Sequence, residues 1–424
     1  MKIRCGLAPF DRALRVAFAV SAASALAACQ EAGSLESARA YYPIPPATLA
    51  LMQSKGANQY APILIRTFKK ESEFEVWKKG PDGRYVYIKT FPMCRWSGQL
   101  GPKRREGDRQ VPEGFYEIAP GQMNPNSHYY LSFNVGYPNE YDRAHGDTGS
   151  DIMVHGICSS AGCFSMTNAQ IAEIYAIARE AFAGGQREIQ MESFPFHMTA
   201  KNLAKFRLDP NMPFWKQLEK GSDYFKVTGK PPQVGVCGGH YVFDAKPAAE
   251  KTLQPMQPCP ALVQDPAVVA AVAQKERKDA TQVAALVKSG VQAVRLVYQD
   301  GGQNPVFAGK DIPDESRPDA LAHAPMEIAM GPTAAPAAAK IAKALAKAKK
   351  APAPTTAEIA KAAATAPAGR QAAPQMVAAA APPLTSVPKA ANAPFYQHWL
   401  SFVSSRLSQN PTNGAAPMNQ PQAQ

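Results

Sequence analysis

The chain has 424 residues, 46 Lys and Arg against 34 Asp and Glu, and a formal net charge of +12. That length fits one folded domain with extensions. No phosphate-binding loop, His-Glu-x-x-His pair or dinucleotide fingerprint occurs, which argues against nucleotide-dependent and zincin-type chemistry.

The first residues carry Lys2, Arg4, Arg12 and Arg15, followed by an apolar run from Val16 to Ala28. The run is too short to span a bilayer and reads as a secretory signal. It ends in Leu26-Ala27-Ala28-Cys29, which resembles the bacterial lipobox. That resemblance implies removal of residues 1–28 and a lipid on Cys29, anchoring the protein to the outer membrane and facing the periplasm. Ordinary cleavage near Ala28, leaving Cys29 a free thiol, is the plainer alternative.

Residues 29–57 read as a tether with a short helical patch. From residue 58 to 245 the composition is that of a folded domain. Ile63-Leu64-Ile65, Phe74-Glu75-Val76-Trp77 and Tyr85-Val86-Tyr87-Ile88 read as strands, with Pro81-Asp82-Gly83 as a hairpin turn. Gly114 to Ile118 and Tyr129 to Phe133 continue the β pattern, and Asp151 to Val154 delivers His155 at a strand end. Thr167 and Gln170 fit a capping box, and Ile171, Ile174, Tyr175 and Ala178 share one helical face that Gly184-Gly185 stops. Ile189 and Met191 alternate as in a strand, and a helical stretch covers roughly residues 201–220. The expectation is a mainly β domain with flanking helices.

Residues 246–319 read as an accessory unit: helical spacing over Val268 to Val287, then a strand from Val291 to Tyr298 before Asp300-Gly301-Gly302. From residue 320 to 424 the chain is rich in Ala, Pro and Lys and cannot bury a core, so disorder is expected. Trp399, Leu400, Phe402 and Val403 form a brief apolar cluster within it. The positive tail of an exported chain suits anionic envelope polymers or lipid headgroups rather than nucleic acid. A solvated spacer accounts for it equally well.

Once Cys5 leaves with the leader and Cys29 is acylated, five of the seven cysteines remain. Cys94, Cys158, Cys163, Cys237 and Cys259 then face an oxidising compartment, and the odd number leaves at least one thiol free or paired with another molecule. Cys237 and Cys259 are close enough in sequence to be bridged. Cys158 reads as a small buried residue, with oxidative pairing to Cys163 as the alternative.

One stretch reads as chemistry. His155 and Cys163 lie eight residues apart, with Gly156 expected to let the chain turn after the histidine and Gly162 to let substrate approach the thiol. An imidazole can take a thiol proton and return it to a leaving amine. The second ring nitrogen needs a partner; no Asp or Asn stands at an obvious position, so a backbone carbonyl is the expected orienter. Gly156, Ser160 and Gly162 are the oxyanion and support candidates. The start of the following helix is expected to favour a thiolate at Cys163. His128, Arg143 and His145 are candidate contacts for substrate carboxylates, as is Lys103, against an ordinary surface role for each. Cys237-Gly238-Gly239-His240 reads as a strand end with a disulfide rather than a metal site. No metal or cofactor is implied.

Met153-Val154-His155-Gly156, Ser160-Ala161-Gly162-Cys163 and Met166 together resemble the signature of the L,D-transpeptidase catalytic domain (the YkuD type). Ser97 to Lys103, Pro112-Glu113-Gly114-Phe115-Tyr116 and Gly136-Tyr137-Pro138-Asn139 agree with it, so the similarity covers roughly residues 58–245. The resemblance implies a β-rich sandwich and no cofactor, with Cys163 as nucleophile and His155 as proton carrier. Its substrate is the peptidoglycan stem, attacked after the L-centre of meso-diaminopimelate; the acyl group passes to an amine, giving a cross-link or a protein attachment, or to water. Two departures stand out. Cys163-Phe164-Ser165 lacks the arginine of the common Cys-Ile-Arg, and the loop between His155 and Cys163 is short. Both resemble the subgroup containing the amidase that frees outer-membrane lipoprotein from peptidoglycan. A non-catalytic wall-binding tether is the competing class.

Overall fold

The computed structural model describes residues 38–249, 252–310, 312 and 318–331. The leader, Cys29 and residues 332–424 of the tail, with its Trp399 cluster, lie outside the described residues, whereas residues 320–331, expected to begin the disordered tail, are described and include a strand at Met326–Ala329.

A mixed five-stranded sheet forms the centre, in the order β3-β2-β1-β9-β4. Its strands are β1 (Ile63–Phe68), β2 (Glu73–Lys79), β3 (Tyr85–Pro92), β4 (Gly114–Ile118) and β9 (Ile189–Phe194). β1 runs parallel to β9, with Leu64 opposite Gln190, while the other pairs are antiparallel. All of β1 is buried, which fits its near-continuous apolar sequence. Two ion pairs lie inside this layer, Arg66 Nε with Glu192 at 2.8 Å and Lys69 Nζ with Glu113 at 3.0 Å, while buried Lys78 donates to the Gln59 and Ala61 carbonyls.

A second, four-stranded sheet carries the site. It runs β5 (Met123–Asn124), β6 (Ser132–Asn134), β7 (Met153–His155), β8 (Phe164–Ser165). Only the last three residues of the apolar stretch 129–134 enter β6. Tyr130 takes φ +72°, so the chain turns there instead of extending. Helix α2 (Glu140–Ala144) follows β6, and α3 (Asn168–Ala183) follows β8 with the expected box: Thr167 accepts from the Gln170 N–H. Ile171, Ile174, Tyr175 and Ala178 are buried on the face that packs behind the site.

Of the segment expected to be a tether, residues 38–57 instead begin the domain. A 3₁₀ turn at Arg39–Tyr41 leads to α1 (Pro46–Ser54), and Ala40, Ile44, Met52 and Ala57 are buried. Thr48 Oγ1 donates to Glu173 on α3 at 2.5 Å, which the weak apolar pattern of α1 alone did not announce. The helical stretch near residue 210 is two helices, α4 (Ala200–Phe206) and α5 (Met212–Thr228), separated at Asp209-Pro210 because proline disfavours a helical residue before it.

The accessory segment is laid against the domain. After the hairpin β10 (Val234–Cys237) and β11 (His240–Phe243) and the short pair β12 (Lys246–Pro247) and β13 (Leu262–Val263), α6 (Pro266–Lys288) packs on α4 and α5. β14 (Val294–Val297) pairs with β15 (Met326–Ala329), and between them lies the one-turn α7 (Pro318–Leu321). Just past β14, Trp96 and Gly302 exchange both backbone hydrogen bonds, at 2.9 and 3.0 Å. Cys237 and Cys259, whose pairing could not be read from the sequence, are joined, so Cys237-Gly238-Gly239-His240 is a hairpin turn stapled to the next loop.

Candidate active site

β7 and β8 are parallel neighbours, with Val154 opposite Phe164 and His155 opposite Ser165. Alternation along a strand puts Met153, His155, Cys163 and Ser165 on one face. The Met153 N–H points to Cys163 Sγ at 3.4 Å, and the thiol reaches the Asp151 carbonyl at 3.8 Å. Cys163 is the free cysteine of the described residues.

His155 is buried, and its Nδ1 lies 2.5 Å from the Gly156 carbonyl. A carbonyl only accepts, so Nδ1 carries the proton and Nε2 presents a lone pair. The backbone orienter expected from the sequence is thus the residue next door. Nε2 faces Ser165 Oγ at 3.4 Å, while the Ser165 hydroxyl donates to the Ser159 carbonyl at 2.5 Å. With its proton directed to Ser159, Ser165 can only accept from Nε2, so that contact becomes a hydrogen bond once Nε2 is protonated. Tyr129 covers the imidazole, ring centroids 4.6 Å apart.

Gly156 does not make the turn. The left-handed residue is Ile157, φ +59°, an uncommon place for a β-branched side chain. Its N–H is held by Asn168 Oδ1 at 3.0 Å, the first residue of α3. Gly156 is required by space instead: a Cβ there would lie 2.6 Å from Asn168 Oδ1 and 2.9 Å from the Tyr129 carbonyl. Gly162, at φ +128°, is the position where the backbone itself needs glycine. Ser160 is buried; its hydroxyl donates to the Cys163 carbonyl at 2.8 Å and accepts from the Gly162 N–H at 3.4 Å, closing the turn that ends at the thiol.

Cys158 is buried, yet it is neither an inert thiol nor a partner of Cys163. It is bonded to Cys94, at the end of β3, which staples the middle of the loop to the first sheet.

Burial pushes the Cys163 thiol above 9.0, despite the Met153 N–H and the Lys103 charge, and pushes His155 below 6.5. The thiolate expected from the helix start is not favoured, because desolvation of the thiol outweighs the contacts that favour the charged form. Both shifts favour the neutral pair. Alkylation of Cys163 by iodoacetamide, followed by mass spectrometry, should therefore rise with pH to a midpoint above 9. A midpoint below 7 would mean a resting thiolate–imidazolium pair.

The other candidates make contacts of their own, and only the charge of Lys103 reaches the thiol. His128 is exposed. His145 bonds the Tyr141 carbonyl through Nδ1 at 2.8 Å and stacks on the Tyr141 ring. Arg143 donates to the Pro138 carbonyl and lines a separate cleft of about 490 Å³ with Glu117, Glu140 and Tyr241, whose walls include neither His155 nor Cys163. Lys103 is buried in an ion pair with Asp108 at 2.6 Å. Sequence reading missed Tyr129, Ser165 and three groups that brace the loop: Cys94, Arg109 and Asp300. The odd cysteine count held a signal for Cys94. Asp300 read only as part of a turn.

A parallel strand pair presents a buried histidine and a free thiol, on a loop stapled to a mixed sheet, as expected of the L,D-transpeptidase class that the sequence resembles. The family model of the L,D-transpeptidase catalytic domain (YkuD) matches residues 69–184. The protein named putative L,D-transpeptidase YafK of Escherichia coli strain K12 is 42 % identical over 195 residues, covering 46 % of this chain and 78 % of YafK. The chain belongs to the L,D-transpeptidase family. Among solved structures, the helical cell shape determining protein Pgp2 of Campylobacter jejuni is 15 % identical, covering 59 % of this chain and 80 % of Pgp2, with a TM-score of 0.26. Bd1075 of Bdellovibrio bacteriovorus is 22 % identical, covering 32 % and 49 %, with a TM-score of 0.23.

Proposed function

We propose that the protein is a cysteine L,D-transpeptidase that acts on peptidoglycan stem peptides at meso-diaminopimelate through a Cys163 thioester. The observation that carries this reading is a free Cys163 on the strand face that His155 shares, with the His155 Nε2 left as a proton acceptor. In this scheme Cys163 Sγ attacks the carbonyl carbon after the L-centre while its proton passes to His155 Nε2. The imidazolium then donates to Ser165 Oγ. Backbone N–H groups around Gly162 and Cys163 receive the oxyanion. Collapse expels the amine, which takes the proton from Nε2, and leaves a thioester. An incoming amine gives a new peptide bond, or water gives a carboxylate.

Serine in place of the arginine after Cys163-Phe164 supports a second reading, a hydrolytic amidase that frees lipoprotein from peptidoglycan by the same chemistry. Two disulfides support a location in an oxidising compartment, the periplasm, with a lipid on Cys29 as the outer-membrane anchor. Mass spectrometry of wall digests treated with wild type or Cys163→Ala tests the proposal. Wild type is expected to produce cross-linked tetrapeptide dimers, and Cys163→Ala none. Freed lipoprotein without dimers selects the amidase. Turnover by Cys163→Ala removes the thiol as nucleophile, and an unchanged digest with wild type leaves the wall-binding tether.

A further inference from the structure

We infer that Asp300 is a positioning residue for the Cys163 loop, acting through Arg109; the inference rests on Cys163 being the nucleophile. Asp300 lies just after β14, outside the stretch matched by the family model. Its carboxylate grips Arg109 at two points, Nε to Oδ1 at 3.3 Å and the Nη2 atom to Oδ2 at 2.7 Å, and meets buried Arg95 at 3.1 Å. The same Nη2 of Arg109 donates to the Ser160 carbonyl at 2.9 Å. Ser160 in turn donates to the Cys163 carbonyl. One carboxylate therefore sets the guanidinium that holds the start of the turn, and a hydroxyl closes its end on the thiol residue.

Everything around this clasp is fixed. Arg109 sits at φ +57°, and Ser97 Oγ holds its carbonyl at 2.7 Å. The backbone exchange between Trp96 and Gly302 brings Asp300 to the two arginines. A Cβ on Gly301 would lie 1.9 Å from the Trp96 carbonyl, so the approach needs glycine there. The charge is as important as the shape. An amide at position 300 would leave two guanidinium groups facing each other without their shared anion.

The clasp orients the peptide planes of Gly162 and Cys163 rather than any surface that binds the stem. Displacing reacting groups by about 1 Å can cost on the order of 10²-fold in rate. The effect should fall on kcat, with KM little changed.

The test compares wild type, Asp300→Asn, Asp300→Glu, Arg109→Lys and the double variant Asp300→Asn/Arg109→Lys. The Arg109 side chain is 38 % exposed, so Arg109→Lys is a variant expected to fold even if Asp300→Asn does not. Turnover of muropeptides is expected to drop roughly 10- to 100-fold in kcat for Asp300→Asn and Arg109→Lys, with KM within threefold. Asp300→Glu should recover part of the loss. The double variant should be no worse than the weaker single, because both act on one contact. A folded Arg109→Lys with kcat within threefold of wild type, or losses that multiply in the double variant, overturns the inference. If wild type turns over no muropeptide, the proposed function has failed, and Cys163 alkylation by iodoacetamide at fixed pH reads the clasp instead. A change of at least threefold in Arg109→Lys supports it, and equal rates overturn it.

Discussion

Replacing His155 with Gln is expected to slow acylation of Cys163 by roughly 10²–10⁴-fold at neutral pH, the usual range for removing a positioned base. The loss should sit toward the upper end, because burial holds the thiol above 9.0 and little thiolate exists at pH 7 without an acceptor. Glutamine keeps a donor for the Gly156 carbonyl, so the fold should survive. It offers no basic nitrogen, so the thiol proton has nowhere to go. The sign with pH follows. In the wild type the rate falls on acidification only at a pH lower than the ordinary imidazole range, because burial holds the His155 pKa down. In His155→Gln that limb disappears, and the rate climbs steadily into alkaline pH as the thiol ionises by itself. Acyl-enzyme formation in a single turnover, read by intact mass, separates these profiles. A variant that acylates within tenfold of wild type at pH 7 would show that another group takes the proton.

Removing the loop staple should produce the largest change in stability. Cys94 and Cys158 are 64 positions apart, and cross-linking a loop of that length lowers the entropy of the unfolded chain by an amount worth about 4 kcal/mol. For a domain of this size that corresponds to a fall of roughly 8–16 °C in Tm. The double variant Cys94→Ala/Cys158→Ala is preferable to reduction, since it leaves Cys163 without a nearby thiol to pair with. Activity should fall further than stability alone requires, because Cys158 lies between His155 and Ser160 and its partner adjoins Arg95. A scanning calorimetry midpoint within 3 °C of wild type would indicate that the native loop holds its place without the bond.

Much of the site was legible because its chemistry is local. His155 and Cys163 fall on adjacent strands joined by one loop, so a short motif carries both. The capping box at Thr167 and the four apolar positions of α3 are likewise encoded within a few residues. What escaped is carried by distance in sequence. Asp300 reaches Arg109 and Arg95 across some two hundred residues, and no local pattern marks it. Arg109 and Ser165 look like ordinary polar residues until the fold brings a carbonyl or an imidazole to them. Gly156 shows a subtler failure. The sequence position was right and the reason was wrong, since its missing side chain makes room for Asn168 while Ile157 bears the turn. The helix start after Cys163 misled for another reason: the burial of the thiol, which no local pattern marks, opposes the thiolate.

The staple at Cys94 and Cys158 also poses a sorting problem during oxidative folding. Cys158 and Cys163 are only five positions apart. Closing that small ring in an unfolded chain costs roughly 2 kcal/mol less loop entropy than the 64-position ring of the native bond. The shortcut would consume the thiol the chemistry needs. The long bond must therefore be selected by tertiary structure, with β3 delivering Cys94 to the loop before the neighbours react, or by exchange through a mixed disulfide afterwards. The supply of competent molecules is then set by the isomerisation of three thiols, and a catalyst of disulfide exchange would raise the active fraction without touching the native state.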